Sequence, residues 1–233
     1  MENLIDAESL NYLLARKSDW EIQSMKVVQP AGGMAYLAVK RTLDILVALV
    51  AFVVLLPLLL IVVLLIKVWS PGPVLYPWRV VGRGGRPFTG YKFRTMVVGA
   101  DDLKEELLEK NEMTGPVFKL TEDPRITPPG RFLRKYSIDE LPQLWSVLKG
   151  DMSLVGPRPP LQREYAQFDD WQRQKVCVKP GITCLWQING RNAVNDFDHW
   201  IALDLAYIQR RNFWLDLKIL ALTIPAVLRG TGK

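Results

Sequence analysis

Residues 45–66, ILVALVAFVVLLPLLLIVVLLI, form a run of 22 residues without a charged side chain. A core helix of a soluble protein rarely stays apolar on every face for this length, whereas about 20 apolar residues can cross the hydrocarbon layer of a membrane. The run therefore predicts a membrane-embedded helix, around which the rest of the fold is organised. Pro57 lies within it, removes a backbone hydrogen bond and predicts a bend.

Basic residues flank the apolar run on both sides. Lys40 and Arg41 precede it, and Lys67 and Arg79 follow it. Because positive charge marks the cytoplasmic side of a membrane, this distribution does not favour opposite sides for the two ends. Physics alone leaves two topologies open. One is a kinked helix that crosses the membrane, and the other is a re-entrant helix that bends at Pro57 and leaves by the face through which it entered.

The composition of the whole chain is mildly basic. There are 30 Lys and Arg residues against 24 Asp and Glu residues, a formal net charge of +6. Such an excess favours anionic partners such as lipid headgroups, nucleotides or nucleic acid, although many ordinary proteins are equally basic. Cys177 and Cys184 lack the paired spacing of a zinc site, and His199 is the single histidine. We therefore expect reduced thiols and no zinc site.

The segments after the apolar run predict short strands and polar helices. A strand over residues 88–96 would place Lys92 and Arg94 on one face. The preceding glycine-rich turn lacks the Gly-Lys-Ser/Thr ending of an ATP-binding loop. Residues 212–229 are compatible with a helix in the headgroup layer and with an ordinary buried helix. Further strands are predicted over residues 74–76 and 79–81, and further helices over residues 7–16, 101–111, 162–175 and 197–211.

Residues 131–160, RFLRKYSIDELPQLWSVLKGDMSLVGPRPP, contain the adjacent carboxylates Asp139 and Glu140 among basic side chains. Ser137 and Glu140 have the spacing of a capping box, in which the two side chains satisfy backbone amides at the start of a helix. The box explains neither Asp139 nor the neighbouring arginines. Asp139 therefore requires a functional explanation in addition to the structural one.

An ionised aspartate beside a bound phosphate can attack phosphorus and form an acyl phosphate. Two anions approach each other only if their charge is neutralised, for example by Mg²⁺ and by arginine. Arg134 and Arg158 flank the carboxylates in the sequence, and Pro157 and Pro159 restrict the backbone around Arg158. The stretch therefore predicts phosphate chemistry with Asp139 as the nucleophile.

Four segments together resemble the bacterial sugar transferases. These are the monotopic polyprenyl-phosphate phosphoglycosyl transferases that begin the assembly of exopolysaccharides, O-antigens or glycoprotein glycans. The segments are KRTLDILVALV, YKFRTM, RKYSIDELPQLWSVLKGDMSLVGPRP and KPGITCLWQINGRN. The resemblance extends from about residue 40 to the C-terminus, and the length is similar to that of the short, single-domain members.

The resemblance implies that a sugar 1-phosphate moves from a UDP-sugar to undecaprenyl phosphate and that UMP is released, in a ping-pong mechanism. Asp139 would attack the β-phosphorus and carry a covalent phosphosugar, and Glu140 would assist with the metal or with proton handling. Both carboxylates would bind Mg²⁺, for which Mn²⁺ could substitute. The phosphate-binding residues that it implies are Arg134, Arg158, Lys92 and Arg94.

The resemblance also implies a re-entrant helix that is broken at Pro57 and has both ends in the cytoplasm. The expected fold class is α+β and mostly helical, with a small β-hairpin, catalytic helices and interfacial amphipathic helices. We expect a polar N-terminal extension over residues 1–39, the re-entrant helix over 40–69, and a membrane-associated cytoplasmic catalytic domain over 70–233. The expected partners at the cytoplasmic face of the bacterial inner membrane are UDP-sugar, undecaprenyl phosphate and the bilayer, without nucleic acid; a homodimer is left open.

The sequence departs from the family pattern in two places. Trp78 and Val80 occupy positions at which many members have Gln and Arg, and Cys184 replaces a usual Gly. The first departure weakens the support for any role that the resemblance implies in that hairpin, whereas Asp139 and Glu140 match the pattern.

Parts of the sequence are also compatible with two other functions. The triplet Asp196-Phe197-Asp198 is a D-x-D motif, which metal-dependent glycosyltransferases use when they release UDP. The motif is short, and the chain lacks the alternating strands and helices of a nucleotide-binding α/β domain. A membrane-anchored adaptor with a lipid-binding basic face is the non-enzymatic alternative, but it would leave Asp139 and Arg158 without a role.

Overall fold

The computed structural model describes residues 28–188, 196–230 and 232. The helix predicted over residues 7–16 and the turn predicted at Asn189-Gly190 lie outside the described residues. The α-helices are α1 (Met34–Trp69), α2 (Pro128–Lys135), α3 (Leu144–Lys149), α4 (Gln162–Tyr165), α5 (Asp170–Arg173), α6 (Leu185–Ile188), α7 (Phe197–Arg210) and α8 (Phe213–Leu228). The strands are β1 (Leu75–Val81), β2 (Pro87–Phe93), β3 (Ser153–Val155) and β4 (Gly181–Thr183), and 3₁₀ helices cover Arg83–Gly85, Asp102–Lys110, Ile138–Gln143 and Gln174–Cys177.

Helix α1 contains the whole apolar run and continues through Pro57. Among the described residues, it is the one helix that is long and apolar enough to cross a membrane. Most of its apolar side chains are exposed, as illustrated by Val53 and Leu64. A surface of this kind is unfavourable in water and favourable in a bilayer, which supports membrane association. The re-entrant path stays a prediction.

One stripe of α1 is buried against the rest of the protein. Ala48 belongs to the main hydrophobic core, whereas Leu59, Val62 and Ile66 pack in a second cluster with Phe93 and other residues. Spacings of three and four residues place side chains on the same face of a helix. Both halves of α1 therefore contact the same globular part of the protein.

Polar side chains fasten the N-terminal half of α1. The Nζ of Lys40 lies 2.7 Å from Oδ2 of Asp216 in α8. The Arg41 guanidinium donates hydrogen bonds to two backbone carbonyls near the end of α3. Asp44 Oδ1 accepts a hydrogen bond from the Leu154 backbone N–H at 2.9 Å. The charged side chains that precede the apolar run therefore attach α1 to the globular part of the protein.

Strands β1 and β2 form the predicted hairpin, with Tyr76 opposite Lys92 in an antiparallel register. The two strands predicted around Pro77 form one continuous strand. Proline lacks an N–H donor and is tolerated in edge strands, and both strands of a two-stranded sheet are edge strands. The turn contains Gly84 and Gly85, with φ values of 69° and 77°, a region that favours glycine.

A second, two-stranded sheet was not predicted. Strands β3 and β4 run parallel and pair Ser153 with Gly181 and Val155 with Thr183. Three residues are too few to show an alternating pattern. A Cβ atom on Gly181 would lie 2.0 Å from the Gly156 backbone nitrogen, so the close approach of these segments requires glycine. This contact fixes the start of the loop that carries Arg158.

Some of the predicted helices are confirmed, and others differ in type or extent. Helix α7 confirms the helix predicted over residues 197–211, whereas residues 101–111 form a 3₁₀ helix and residues 162–175 are divided among α4, α5 and a 3₁₀ turn. In α8 only Asp216 and Ile219 are buried, and Trp214 is 75% exposed. The reading of residues 212–229 as an ordinary buried helix is therefore wrong. Their placement in the headgroup layer stays a prediction.

Candidate active site

All six predicted site residues line one cavity of about 630 Å³. The cavity lies among the β-hairpin, the 3₁₀ helix Ile138–Gln143, the loop after β3, and α7. The fold thus brings together side chains from three stretches of the sequence, residues 92–94, 134–140 and 158. The side chains are Asp139, Glu140, Arg134, Arg158, Lys92 and Arg94.

The adjacent carboxylates lie in the first turn of the 3₁₀ helix Ile138–Gln143. Asp139 is only 8% exposed. Ile138 and Leu141, on either side of the pair, pack against the cluster that includes Ile66 of α1. Asp139 and Glu140 therefore lie close to the apolar helix α1.

The predicted capping box is wrong. Ser137 is the N-cap residue, but its side chain makes no capping hydrogen bond. A capping serine normally has extended backbone angles, whereas Ser137 has a φ of 54° in the left-handed region. Such a conformation costs a non-glycine residue about 1–3 kcal/mol and is concentrated at functional sites. The strain therefore points to a function for the turn that presents Asp139.

Lys92 holds the second carboxylate. Its Nζ lies 2.8 Å from Oε1 of Glu140 and 4.2 Å from the centre of the Trp78 ring. Both members of the ion pair are largely buried, at 16% and 17% exposure. A charge-assisted hydrogen bond of this kind is stronger than a neutral one. Trp78, which occupies a position where the sequence departs from the family pattern, therefore helps to position Lys92.

Arg134 is held beside Asp139 by α2. Its Nε donates a hydrogen bond to Thr95 Oγ1 at 2.8 Å. Thr127 caps the helix by accepting a hydrogen bond from the Gly130 N–H, and a Cβ on Gly130 would lie 2.0 Å from the Thr95 carbonyl oxygen. Only glycine allows this approach. Burial lowers the pKa of Arg134, whereas the negative charge of Asp139 raises it. Because the ordinary pKa of a guanidinium is so high, Arg134 stays charged.

Arg94 has a structural task in addition to lining the cavity. Its guanidinium donates hydrogen bonds to the carbonyls of Ser70 and Pro71, at 2.5 and 3.0 Å. These carbonyls directly follow α1, so Arg94 fastens the C-terminal end of that helix to the hairpin. Its predicted role in phosphate binding stays a prediction.

Arg158 lies between two prolines and over an aromatic ring. Its Cζ is 5.8 Å from the centre of the Trp200 ring. One helical turn further along α7, the buried Asp204 lies 2.6 Å from Lys175 Nζ. Burial raises the pKa of Asp204, while the charges of Lys175 and Arg158 oppose this rise. Trp200 and Asp204 thus form the surroundings of Arg158. The sequence shows that these two residues lie one helical turn apart, but it does not show that Lys175, from another segment, pairs with Asp204.

Several cations of the cavity wall form no ion pair within the described residues. Lys92 is paired with Glu140, and Arg125 with Asp123. A concave wall with an excess of unneutralised positive charge attracts anions. Cations of the wall that form no ion pair with a carboxylate of the described chain include Arg94, which binds backbone carbonyls instead, and Lys104, Arg134, Arg158 and Arg163.

A metal cage made of protein alone is absent from the described residues, since no group of three His, Cys, Asp or Glu side chains could hold an ion there. Mg²⁺ usually binds one or two carboxylates together with substrate phosphates. Asp139 and Glu140 fit a site of that kind. The predicted metal site stays a prediction.

The D-x-D triplet serves the fold. Asp196 caps α7, and its Oδ1 accepts a hydrogen bond from the Asp198 N–H at 3.0 Å. Asp198 Oδ1 accepts another from Gln172 Nε2 at 3.1 Å. Neither aspartate lines the cavity. The triplet therefore gives no support to a glycosyltransferase function.

The sequence profile of the bacterial sugar transferase family matches residues 35–230. The chain belongs to this family. The resemblance predicted from the four motifs is thereby confirmed, and the match includes the helix α1, the hairpin and every residue of the candidate site.

Curated relatives agree with this assignment. A galactosyl transferase CpsE from Streptococcus agalactiae is 54% identical over 69% of the chain and 36% of the relative. An undecaprenyl-phosphate galactose phosphotransferase from Salmonella typhimurium is 43% identical over 83% of the chain and 41% of the relative. An exopolysaccharide production protein ExoY from Rhizobium meliloti is 41% identical over 88% of the chain and 91% of the relative. The chain thus spans less than half of the first two and most of the third.

Proposed function

We propose that this protein transfers a sugar 1-phosphate from a UDP-sugar to undecaprenyl phosphate, and that Asp139 carries the phosphosugar between the two substrates. The observation that carries the proposal is the position of the buried Asp139, which shares one cavity with unpaired cations and lies beside the apolar α1. The name of the Salmonella typhimurium relative describes a phosphotransferase that uses undecaprenyl phosphate.

The reaction needs two displacements at one phosphorus atom. First, a carboxylate oxygen of Asp139 attacks the β-phosphorus of the donor, the bond to the oxygen that bridges the two phosphates breaks, and UMP leaves. Then an oxygen of the lipid phosphate attacks the same phosphorus, and its bond to Asp139 breaks. The product is undecaprenyl-diphosphate-sugar, and Asp139 returns to the carboxylate form. No further reactant is required.

The cations of the cavity make the attack of one anion on another feasible. Arg134, fixed by Thr95, and Arg158, held between prolines, can bind phosphate oxygens in pairs. Preorganised charges of this kind stabilise the charge that develops on the phosphate oxygens. Asp139 and Glu140 would hold Mg²⁺, which supplies further positive charge at the diphosphate.

The contacts of α1 support a re-entrant path that brings the site to the membrane surface. The globular part contacts α1 from Lys40 to Ile66, a separation of 26 residues and about 39 Å for a straight helix. This exceeds the hydrocarbon thickness of about 30 Å. If α1 crossed the bilayer, part of the globular domain would lie in hydrocarbon. A bent helix with both ends on the cytoplasmic face avoids this, and a lipid phosphate could then meet a soluble donor at the cavity.

The test is the release of UMP. Purified protein is mixed with Mg²⁺, undecaprenyl phosphate and each member of a panel of UDP-sugars. We expect UMP and a lipid-linked diphosphate sugar from at least one donor. UDP as the nucleotide product would instead indicate a glycosyltransferase, and the absence of turnover with every donor would favour the adaptor function.

The nucleophile is tested separately with donor alone. Intact-mass spectrometry should detect a phosphosugar adduct on the wild-type protein and none on Asp139→Asn. Asp151→Asn is a matched control, because Asp151 forms a half-exposed pair with Lys149 and does not line the cavity. An adduct on Asp139→Asn would show that another residue is the nucleophile.

A further inference from the structure

Part of the cavity wall takes no part in the chemistry proposed above. Lys104, Phe118 and Arg163 line it together, although they come from the 3₁₀ helix Asp102–Lys110, from a loop and from α4. The Nζ of Lys104 lies 5.3 Å from the centre of the half-buried Phe118 ring. The cavity therefore contains a ring and two cations with no assigned ligand.

The charges of Lys104 and Arg163 act on each other across this part of the cavity wall. Burial lowers the pKa of Lys104, and the positive charge of Arg163 lowers it further, whereas the carboxylates of Glu164 and Asp101 act in the opposite direction without reversing the shift. Neither side chain forms an ion pair within the part of the chain that the structure describes. A bound anion would relieve the repulsion between them and would stabilise both charges.

Arg125, the third cation near the ring, is already occupied. Its Cζ lies 5.2 Å from the centre of the Phe118 ring, but its guanidinium donates hydrogen bonds to Asp123 and to the Ala100 carbonyl. Arg125 therefore fixes the surroundings of Phe118, whereas Lys104 and Arg163 are available to a ligand.

We propose that Lys104, Phe118 and Arg163 bind the UMP part of the donor, with the cations at the α-phosphate and the ring against the uracil base. The proposal rests on the proposed function and deepens it. An anion next to a planar base is what two cations beside an aromatic ring can recognise, and stacking of a base on an aromatic side chain contributes about 1–3 kcal/mol.

This part of the cavity fits the nucleotide better than the lipid phosphate for two reasons. In an in-line displacement the leaving group departs opposite the attacking oxygen, so UMP requires a part of the cavity other than the one that presents Asp139. In addition, the apolar cluster that joins α1 to the turn of Asp139 contains none of the three residues. A lipid phosphate that arrives along α1 therefore meets the turn of Asp139 rather than Phe118.

The test uses the ping-pong order to separate the two substrates. Lys104→Ala, Arg163→Ala and Phe118→Leu are compared with Lys110→Ala, an exposed cation of the same 3₁₀ helix that does not line the cavity. Three quantities are measured. They are the Kd of UMP without lipid, the KM of the UDP-sugar for adduct formation, and the rate at which preformed adduct is consumed by undecaprenyl phosphate.

Loss of either cation should weaken UMP binding by about 10- to 100-fold, because hydrogen bonds to charged groups are among the strong ones. The KM of the donor should rise in parallel, and the consumption of adduct should not change. Phe118→Leu should weaken UMP binding without changing the affinity for inorganic pyrophosphate. Lys110→Ala should behave as the wild type. If Lys104→Ala unfolds, Lys104→Gln replaces it.

Unchanged UMP affinity in all three variants would overturn the proposal. So would variants that slow only the consumption of adduct, since this would assign the cations to the lipid phosphate. A wild-type protein that releases no UMP from any donor would contradict the proposed function itself. A wild type that releases UMP, with variants that bind it normally, would contradict only the nucleotide subsite.

Discussion

The ammonium group of Lys92 lies 2.8 Å from a carboxylate oxygen of Glu140, and the Trp78 ring covers it from another side. One carboxylate of the adjacent pair is thus held by a cation, while its neighbour Asp139 is presented to the cavity. This division gives the two acidic residues different tasks. Asp139 is the nucleophile of the proposed reaction, and Glu140 keeps Lys92 and the turn in place in addition to its proposed part in metal binding.

The Lys92–Glu140 contact predicts strong coupling between the two residues. Lys92→Met and Glu140→Gln should each lower kcat/KM for UMP release by about tenfold or more, because a hydrogen bond to a charged group contributes about 1.5–3 kcal/mol. The double variant should lose much less than the product of the two effects, with a coupling free energy of about 1–3 kcal/mol. Effects that simply multiply would mean that the two side chains act independently.

Thr95 is predicted to act through Arg134. Thr95→Val keeps the shape of the side chain but removes the hydroxyl that accepts the Arg134 Nε–H hydrogen bond. We expect kcat/KM to fall by about tenfold, the equivalent of about 1.4 kcal/mol, since Arg134 loses its fixed orientation beside Asp139. Thr89→Val, at an exposed position of β2, is the control and should keep full activity. Equal effects of both variants would indicate a general loss of hairpin stability.

Sequence patterns within single segments were sufficient to predict α1, the hairpin and the grouping of Asp139 with the neighbouring cations. Each depends on a signal that lies within one segment, such as the 22 apolar residues or the cations around Asp139 and Glu140. The motifs of the family added Lys92 and Arg94, which are more than 40 residues from the adjacent carboxylates. Both line the same cavity as Asp139.

Contacts that join distant segments could not be predicted in this way. The pairing of Lys175 with Asp204 and the close approach of Gly130 to Thr95 each depend on how separate elements pack. The capping box failed for a related reason. Its residue types were present, but the turn between α2 and the 3₁₀ helix forces Ser137 into the left-handed region, which the sequence spacing does not reveal.

Asp216 is predicted to be essential for the attachment of α1. Its carboxylate accepts hydrogen bonds from Tyr36 and Tyr207 and pairs with Lys40, all within 2.8 Å. Asp216→Ala leaves a largely buried cation without its partner and should lower the free energy of unfolding in detergent by about 3–5 kcal/mol.

The exposed pair Lys149–Asp151 supplies the control for Asp216. Its members are 38% and 33% exposed, compared with 12% and 11% for Lys40 and Asp216. Asp151→Ala should therefore change the stability by less than about 1 kcal/mol. A loss of similar size in both variants would show that burial of the Lys40–Asp216 pair has no special effect.

The ion pair between Asp123 and Arg125 leads us to expect a loss of stability in acid. Burial alone would raise the pKa of Asp123, but the two hydrogen bonds from the Arg125 guanidinium outweigh burial and lower this pKa below its ordinary value of 3.8. The folded protein then binds fewer protons than the unfolded chain. The stabilisation is therefore complete above pH 3.8 and is lost as the pH falls through the lower, folded-state pKa.

Asp123→Asn should accordingly be less stable than the wild type at neutral pH, and the difference should shrink below pH 3.8. Denaturant unfolding on both sides of this pH measures the difference. Glu109→Gln, at an exposed carboxylate, should stay within about 0.5 kcal/mol of the wild type throughout. A difference between wild type and Asp123→Asn that does not vary with pH would contradict the assignment.

The re-entrant path of α1 predicts that both of its ends face the cytoplasm. Met34 and Val68, 89% and 83% exposed, are suitable for single cysteines because neither takes part in the contacts that attach α1 to the globular part. Cys184 can stay in place, since complete burial raises the pKa of its thiol and shields it, whereas the half-buried Cys177 is replaced by serine. A membrane-impermeant maleimide should label both new cysteines in inverted vesicles and neither in intact spheroplasts, in parallel with a marker cysteine at Lys110. Labelling of one end from each side would establish a helix that crosses the membrane, and the lipid phosphate would then have to reach Asp139 by another route.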